Sequence, residues 1–166
     1  SFTNSAIDIL PSAFALAFSP YAKDLPALIK RAREAGHEVL IELPMEPEDF
    51  PHSDSGPKSL LTVLPLRDNL ERLEEIMAIS GAYSGFIASP SGKVFGTSPK
   101  HMRPILDKIG KSGLLYIDPF DGKGVEPNRD LKVALKVSDI FIGSNLFTTS
   151  VKEQVKYFGE LSVYRG

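Results

Sequence analysis

The sequence contains no cysteine in its 166 residues. This absence excludes a disulfide scaffold and any zinc or iron–sulfur site held by thiolates, and it is compatible with either redox compartment. No apolar run approaches the roughly 20 residues that a membrane-spanning helix needs. Acidic and basic residues nearly balance, 21 against 19, for a formal net charge of −2. Because there is no basic patch and no acidic tail, nothing indicates binding to nucleic acid or to an anionic membrane.

The remaining composition is that of an ordinary folded domain. Hydrophobic residues make up 42% of the chain and charged residues 24%, which is enough apolar material for a buried core. The length fits one domain. No signal peptide is recognisable and the chain begins at Ser1 without a methionine, so we expect a processed chain or a piece of a longer one.

Short apolar runs alternate with amphipathic segments along the chain. The runs predict strands over Ala13–Phe18, Glu38–Leu43, Ser84–Ser89, Leu114–Asp118 and Asp139–Ser144. Helical periodicity predicts helices after Asp24, over Arg67–Ser80, from about Met102, over Asn128–Val137 and at the end of the chain. This alternation is typical of parallel βαβ units, and an open doubly wound sheet and a barrel both fit it. In either fold the reactive groups belong where the strands end, at their carboxyl termini.

The segment GHEVLIELPMEP, residues 36–47, places acids near the end of an apolar strand. Glu42 lies near the carboxyl end of that strand and Glu46 follows four residues later. Two such carboxylates can hold a divalent cation through oxygen. Spacing alone leaves a second interpretation open, in which Glu42 forms a salt bridge at the rim and Glu46 is an exposed loop residue. His37, at the other end of the strand, is predicted to lie beside a helix terminus, where the helix dipole favours it.

Three further polar residues follow later strands. Asp118 ends the run LLYID, a position that suggests function, although an aspartate before Pro119 is also a common turn residue. Ser89 and Lys93 lie in the loop SPSGK, which can contact sugar hydroxyls or an anion or be an ordinary polar loop. The chain has no phosphate-binding loop, no GxSxG and no HExxH motif.

Four segments occur in the order and spacing of a known family: GHEVLIELPMEP, SGPKSLLTVLPLRDNLERLE, GAYSGFIASPSGKVF and GLLYIDPF. From about Ala6 to Arg165 the chain resembles the divergent polysaccharide deacetylases. The resemblance implies an α/β fold, a distorted (β/α) barrel of the glycoside hydrolase and deacetylase type with parallel strands. It implies a single deacetylase-like domain over residues 1–166 that lacks the first and last strands. It also implies a bacterial envelope protein, periplasmic or exported, whose partner is a glycan or another envelope component.

The resemblance also assigns roles to residues. In the active deacetylases the matching strand ends in two metal-binding histidines, and in register from Gly36 these positions fall on Glu42 and Glu46. The resemblance thus implies Glu42 and Glu46 as ligands of zinc or manganese and Asp118 as a catalytic group. Ser89 and Lys93 are the predicted substrate contacts. The metal would polarise an acetyl carbonyl and lower the pKa of its bound water.

Two departures from the active deacetylases leave a different function open. Active relatives carry an Asn-His pair after the third strand, where this chain has Ile87–Pro90, and their first-strand aspartates would precede Ser1. The alternative is a catalytically degenerate, metal-free barrel that binds a glycan or a protein. A third class, a phosphosugar barrel enzyme, would need an anion site at a helix N-terminus, and none stands out.

Overall fold

The computed structural model describes residues 7–46, 61, 69–79, 82–89, 91–126 and 130–135. The strands are β1 (Leu16–Phe18), β2 (Val39–Leu43), β3 (Gly85–Ala88), β4 (Leu115–Asp118) and β5 (Lys132–Leu135). The helices are α1 (Leu25–Glu34), α2 (Asn69–Ala78), α3 (Lys93–Gly96) and α4 (Pro99–Lys111).

The five strands form one parallel sheet in chain order, β1-β2-β3-β4-β5. The backbone register aligns Ile41 with Phe86 and Phe86 with Tyr116. The α/β class and the parallel sheet predicted from the sequence are therefore confirmed. Closure of the sheet into a barrel stays a prediction.

The register sorts the strand residues onto two faces, because aligned residues of parallel strands point the same way and neighbours along a strand alternate. We call the first the helix face; it carries Ile41, Leu43, Phe86, Ala88, Tyr116 and Asp118. Its apolar members share one buried core with Ile29 of α1 and Ile105 and Ile109 of α4. The helices therefore cover this face.

The second face, which we call the open face, carries Leu40, Glu42, Ile87, Leu115 and Ile117. Leu40 is 7% exposed and the other four are half-buried. None of these residues belongs to the core that the described helices share with the sheet. This face is therefore apolar and partly accessible, with one acid near its edge.

Helix α1 ends in the way that Gly36 predicts. The glycine adopts a φ of +89°, which side chains rarely tolerate. The amide of His37 donates to Ala32 and that of Gly36 to Arg33, the two bonds of a Schellman motif. At the other end Asp24 takes the N-cap position, but its φ is 57° and its side chain makes no capping hydrogen bond. Asp24 therefore marks the helix start without capping it.

Two predictions of secondary structure were wrong. Helix α4 begins at Pro99 rather than near Met102 and contains Pro104. Pro104 and Lys100 are both exposed, so water can take the place of the backbone hydrogen bond that Pro104 cannot donate to Lys100. The predicted helix over 128–137 is instead strand β5, because its backbone pairs with β4 and this tertiary pairing overrides the helix propensity of Lys, Ala and Leu. The predicted strand over 139–144 and the final helix lie outside the described residues.

Candidate functional site

The edge of the sheet where β2, β3 and β4 end at Leu43, Ala88 and Asp118 is called the carboxyl edge below. The residues predicted to act there are Glu42, Glu46, Ser89, Lys93 and Asp118. All of them lie in the described part of the chain, within the ends of these strands or just beyond them.

Glu42 lies on the open face at the carboxyl edge. It aligns with Ile87 of β3, which aligns with Ile117 of β4. Its carboxylate is half-buried and receives no hydrogen bond or ion pair from any residue that the structure describes. The rim salt bridge considered for Glu42 is therefore not formed among these residues.

Glu46 is buried, with 6% of its surface exposed. The backbone continues past β2 and pairs with Leu61: the amide of Glu46 donates to Leu61 at 2.8 Å, and the amide of Leu61 donates to Pro44 at 2.8 Å. The interpretation of Glu46 as an exposed loop residue was wrong, because this added pairing draws the segment into the fold.

The loop after β3 packs directly against this extension of β2. A Cβ placed on Gly92 would lie 2.2 Å from the Cβ of Met45, so only glycine fits there without a shift. The amide of Ser89 donates to the carbonyl of Leu43 at 3.2 Å. These contacts hold Ser89 next to the end of β2, beside the segment that carries both glutamates.

The two predicted substrate contacts have different surroundings. Ser89 is 7% exposed, and its hydroxyl shares a 2.9 Å hydrogen bond with the hydroxyl of Ser91. Lys93 is the first residue of α3 and its side chain is exposed. The loop thus presents hydroxyl groups and one ammonium group at the carboxyl edge, a set that can contact a polyhydroxylated or anionic ligand.

Asp118 is buried, with 1% exposure, and its carboxylate is occupied by local hydrogen bonds. Oδ2 accepts from the amide of Gly122 at 2.5 Å and from that of Phe120 at 3.3 Å. Oδ1 accepts from the Tyr116 hydroxyl at 3.3 Å. The left-handed backbone of Asp121, with a φ of 57°, lies between the two amides and turns the chain so that the Gly122 amide reaches the same oxygen. This is the arrangement expected of a turn aspartate.

Tyr116 supports the same network from the sheet. Its side chain is fully buried on the helix face. Burial raises its pKa well above the usual range of a phenol, and the charge of Asp118 and the hydrogen bond to it raise the pKa further. The hydroxyl therefore stays protonated and remains a donor to Asp118.

The structure brings some of the predicted residues together and separates others. Glu42, Glu46 and Ser89 belong to neighbouring segments at the ends of β2 and β3, whereas Asp118 lies on the helix face. Within the described ranges, no three His, Cys, Asp or Glu side chains lie close enough together to hold a metal ion. The metal, substrate and catalytic roles of these residues stay predictions.

His37 has a structural role that the sequence did not reveal. It is 4% exposed, and its Nδ1 and Nε2 lie 2.9 Å and 3.0 Å from the carbonyl oxygens of Phe14 and Ile7. Both facing groups are acceptors, so both bonds form only when both ring nitrogens carry a proton. The signal that was available, a histidine after a helix-ending glycine, predicts the position but not these distant partners.

Two cavities of about 410 Å³ each lie away from the carboxyl edge. One runs along α1 and is lined in part by Ile29, Lys30 and Arg33. The other lies at the amino ends of β2 and β3 and is lined in part by Glu38 and Ser84, whose hydroxyl donates to the Glu38 carboxylate. In parallel α/β folds chemistry is found at the opposite edge, so we do not place the site in either cavity.

This geometry defines the general class of the protein: a parallel α/β fold with polar residues at the ends of successive strands. The family model of the divergent polysaccharide deacetylases matches residues 2–166. The chain belongs to the divergent polysaccharide deacetylase family, which confirms the resemblance carried by the four sequence segments.

One solved structure supports the fold independently. The crystal structure of the uncharacterised protein ATU2773 from Agrobacterium tumefaciens C58 superposes with a TM-score of 0.66 and 24% sequence identity, covering 95% of this chain and 68% of that chain. At this identity the likeness establishes the fold alone. The comparison with curated proteins gave no match. In the described part of the chain, every helix is too short or too polar to cross a membrane.

Proposed function

We propose that this chain is a glycan-binding member of its family and that the carboxyl edge is its binding surface. The observation that supports it is the separation of Asp118, the predicted catalytic group, from Glu42, a predicted metal ligand. The carboxylate of Asp118 is buried on the helix face with three donors of its own, whereas Glu42 lies on the open face. The family supplies the class of ligand, and the hydroxyls of Ser89 and Ser91 with the ammonium of Lys93 supply polar contacts.

A catalytic metal does not fit the donors that the described residues provide. A catalytic zinc site uses three protein ligands and keeps one position open. On the open face the aligned neighbour of Glu42 is Ile87, with Ile117 one strand further away, and neither side chain offers a ligand atom. The proposal therefore assigns no chemical step to a metal.

Metal-assisted deacetylation is a second candidate, favoured by one specific observation. Glu46 is a buried carboxylate at the carboxyl edge, at a position where the active deacetylases carry a metal ligand. In this alternative Glu42 and Glu46 would bind zinc or manganese, and further ligands would complete the site.

The proposal includes a barrel and an envelope location. Parallel strands in chain order are what a (β/α) barrel requires, which supports the barrel. A periplasmic or exported location rests on the family resemblance. Cell fractionation of a tagged full-length protein tests the location, and recovery in the cytoplasm would contradict it.

Calorimetry and an acetate-release assay test the proposed function together. We expect a β-1,4-linked N-acetylglucosamine tetramer to bind the chain, and Ser89→Ala combined with Lys93→Ala to weaken that binding. Lys30→Ala is the matched control, because Lys30 is an exposed lysine on α1. We expect no acetate release with added zinc or manganese. Metal-dependent release that Glu46→Gln abolishes would establish the second candidate instead, and no binding of any glycan would contradict the proposal.

A further inference from the structure

Glu42 is a half-buried acid at the carboxyl edge. Among the residues that the structure describes, no donor or cation reaches it. Two other acids are satisfied: Glu38, directly before β2, accepts from Ser84, and Asp118 accepts from three donors. The oxygens of Glu42 are not fully buried, so they are available to a ligand.

The surroundings of Glu42 would strengthen its attraction for a cation. It is half-buried, and its aligned neighbour on β3, Ile87, is apolar. A carboxylate beside apolar side chains is less screened than one on the surface, so an ion pair there is stronger than an ordinary surface pair. The amide of Ser89 donates a hydrogen bond to the carbonyl of Leu43, so the hydroxyls of Ser89 and Ser91 lie near the same strand end.

These features suit an organic ammonium group better than a divalent metal. A metal needs several ligand atoms converging on one point, whereas the described residues at this end of the open face offer the single carboxylate of Glu42 beside Ile87. An ammonium group needs one carboxylate and can donate its other protons to hydroxyl oxygens or water.

We propose that Glu42 binds the protonated amino group of an amino sugar within the glycan. This inference rests on the proposed function and deepens it by naming the class of sugar. An N-acetylated sugar presents a neutral amide, whereas the deacetylated sugar presents a cation. The site therefore prefers deacetylated or partly deacetylated glycan, and Glu42 determines that preference.

The experiment compares two ligands that differ in acetylation alone. Calorimetry at about pH 6, below the titration range of an amine, measures binding of a β-1,4-linked glucosamine tetramer and of its fully N-acetylated counterpart. One charge-assisted hydrogen bond predicts a preference of about tenfold or more for the glucosamine tetramer. Glu42→Gln should reduce that preference to about one while leaving the affinity for the acetylated tetramer unchanged. Glu38→Gln is the matched control, because Glu38 directly precedes the amino end of β2, and this variant should retain the full preference.

A salt titration of the unmodified chain provides a second readout that needs no variant. The preference for the glucosamine tetramer should shrink as ionic strength rises, because salt screens the ion pair, while binding of the acetylated tetramer should change little. This readout applies even if Glu42→Gln fails to fold.

The outcomes separate this inference from the proposed function. Equal binding of both tetramers, insensitive to salt and to Glu42→Gln, would overturn the ammonium site and leave glycan binding intact. Binding of zinc or manganese that Glu42→Gln abolishes would overturn it in favour of a metal ligand. Failure to bind either tetramer would overturn both the inference and the proposed function.

Discussion

Glu42 lies one residue before the end of β2 and Asp118 ends β4 of the same sheet, but their side chains lie on opposite faces. Glu42 aligns through Ile87 with Ile117, and Asp118 is the next residue along β4, so alternation turns it to the other side. Substitutions at the two acids should therefore have separable effects. Changes at Glu42 should alter ligand binding, and changes at Asp118 should alter stability.

Asp118→Ala should lower the free energy of unfolding by about 2–4 kcal/mol, because buried donors lose their acceptor. Urea denaturation measures the loss. Asp121→Asn is the matched control: Asp121 is exposed with a φ of 57°, and asparagine tolerates that backbone conformation, so the change should stay within about 0.5 kcal/mol. A stable Asp118→Ala protein that has lost only activity would instead indicate a catalytic aspartate.

Tyr116→Phe should reduce the sensitivity of the fold to alkaline pH. Burial and the neighbouring Asp118 raise the pKa of Tyr116 in the folded state, so its stabilising effect is complete below the ordinary phenol pKa of about 10. It is lost as pH rises above that value, by up to about 1.4 kcal/mol per pH unit for each protected phenol. In Tyr116→Phe, the slope of the unfolding free energy against pH should therefore decrease by the contribution of one phenol.

Unfolding free energies measured at several alkaline pH values test this expectation. Burial also raises the pKa of Tyr83, so some slope should remain in Tyr116→Phe. Tyr21→Phe is the control, because Tyr21 is 52% exposed and its loss should not change the slope. Equal slopes in all three proteins would show that Tyr116 ionises in the folded state.

His37→Ala should destabilise the fold by about 2–3 kcal/mol, because it removes the partner of one buried carbonyl oxygen, that of Ile7, and of one part-buried carbonyl oxygen, that of Phe14. It should also speed hydrogen exchange at the Leu16 amide, which bonds the carbonyl of Glu38 directly after His37. His101→Ala is the comparison, since His101 is half-buried and bonds the neighbouring Ser98 hydroxyl. A smaller loss of stability in His37→Ala than in His101→Ala would contradict the role of His37 in fixing Ile7 and Phe14 to the amino end of β2.

Gly92→Ala should cost about 1–3 kcal/mol, because the added Cβ would lie 2.2 Å from the Cβ of Met45 and the loop would have to shift. Thermal unfolding measures the loss. Lys93→Ala, at the next and exposed position, should change stability by no more than about 0.5 kcal/mol. Similar stability of the two variants would mean that the loop is not seated against the extension of β2.

The sequence predicted the four strands that come first along the chain because each is an apolar run between helix-period segments, and burial of such runs is a local property. It misassigned Lys132–Leu135 because this four-residue strand is defined by its partner β4 rather than by its own pattern. The predicted start of helix α4 was too late because an exposed Pro104 removes one hydrogen bond without ending the helix.

The sequence predicted the position of the candidate site more accurately than the arrangement of its residues. Position after successive strands sufficed to predict that Glu42, Ser89 and Asp118 gather at one edge. The face that each residue occupies depends on register, which one sequence read alone does not specify. The burial of Glu46 and of His37 depends on partners distant in the chain, Leu61 and Ile7, which no local pattern contains.

The order of the sheet has a consequence for how the molecule is made. In the described part of the chain, each strand bonds to the strands nearest to it in sequence, so the pairing of these strands follows the order in which they are translated. These strands can therefore add to the sheet one after another as the polypeptide leaves the ribosome, each after the crossover that precedes it. Chains whose synthesis is interrupted should therefore form shorter sheets with native strand pairing rather than sheets with non-native pairing.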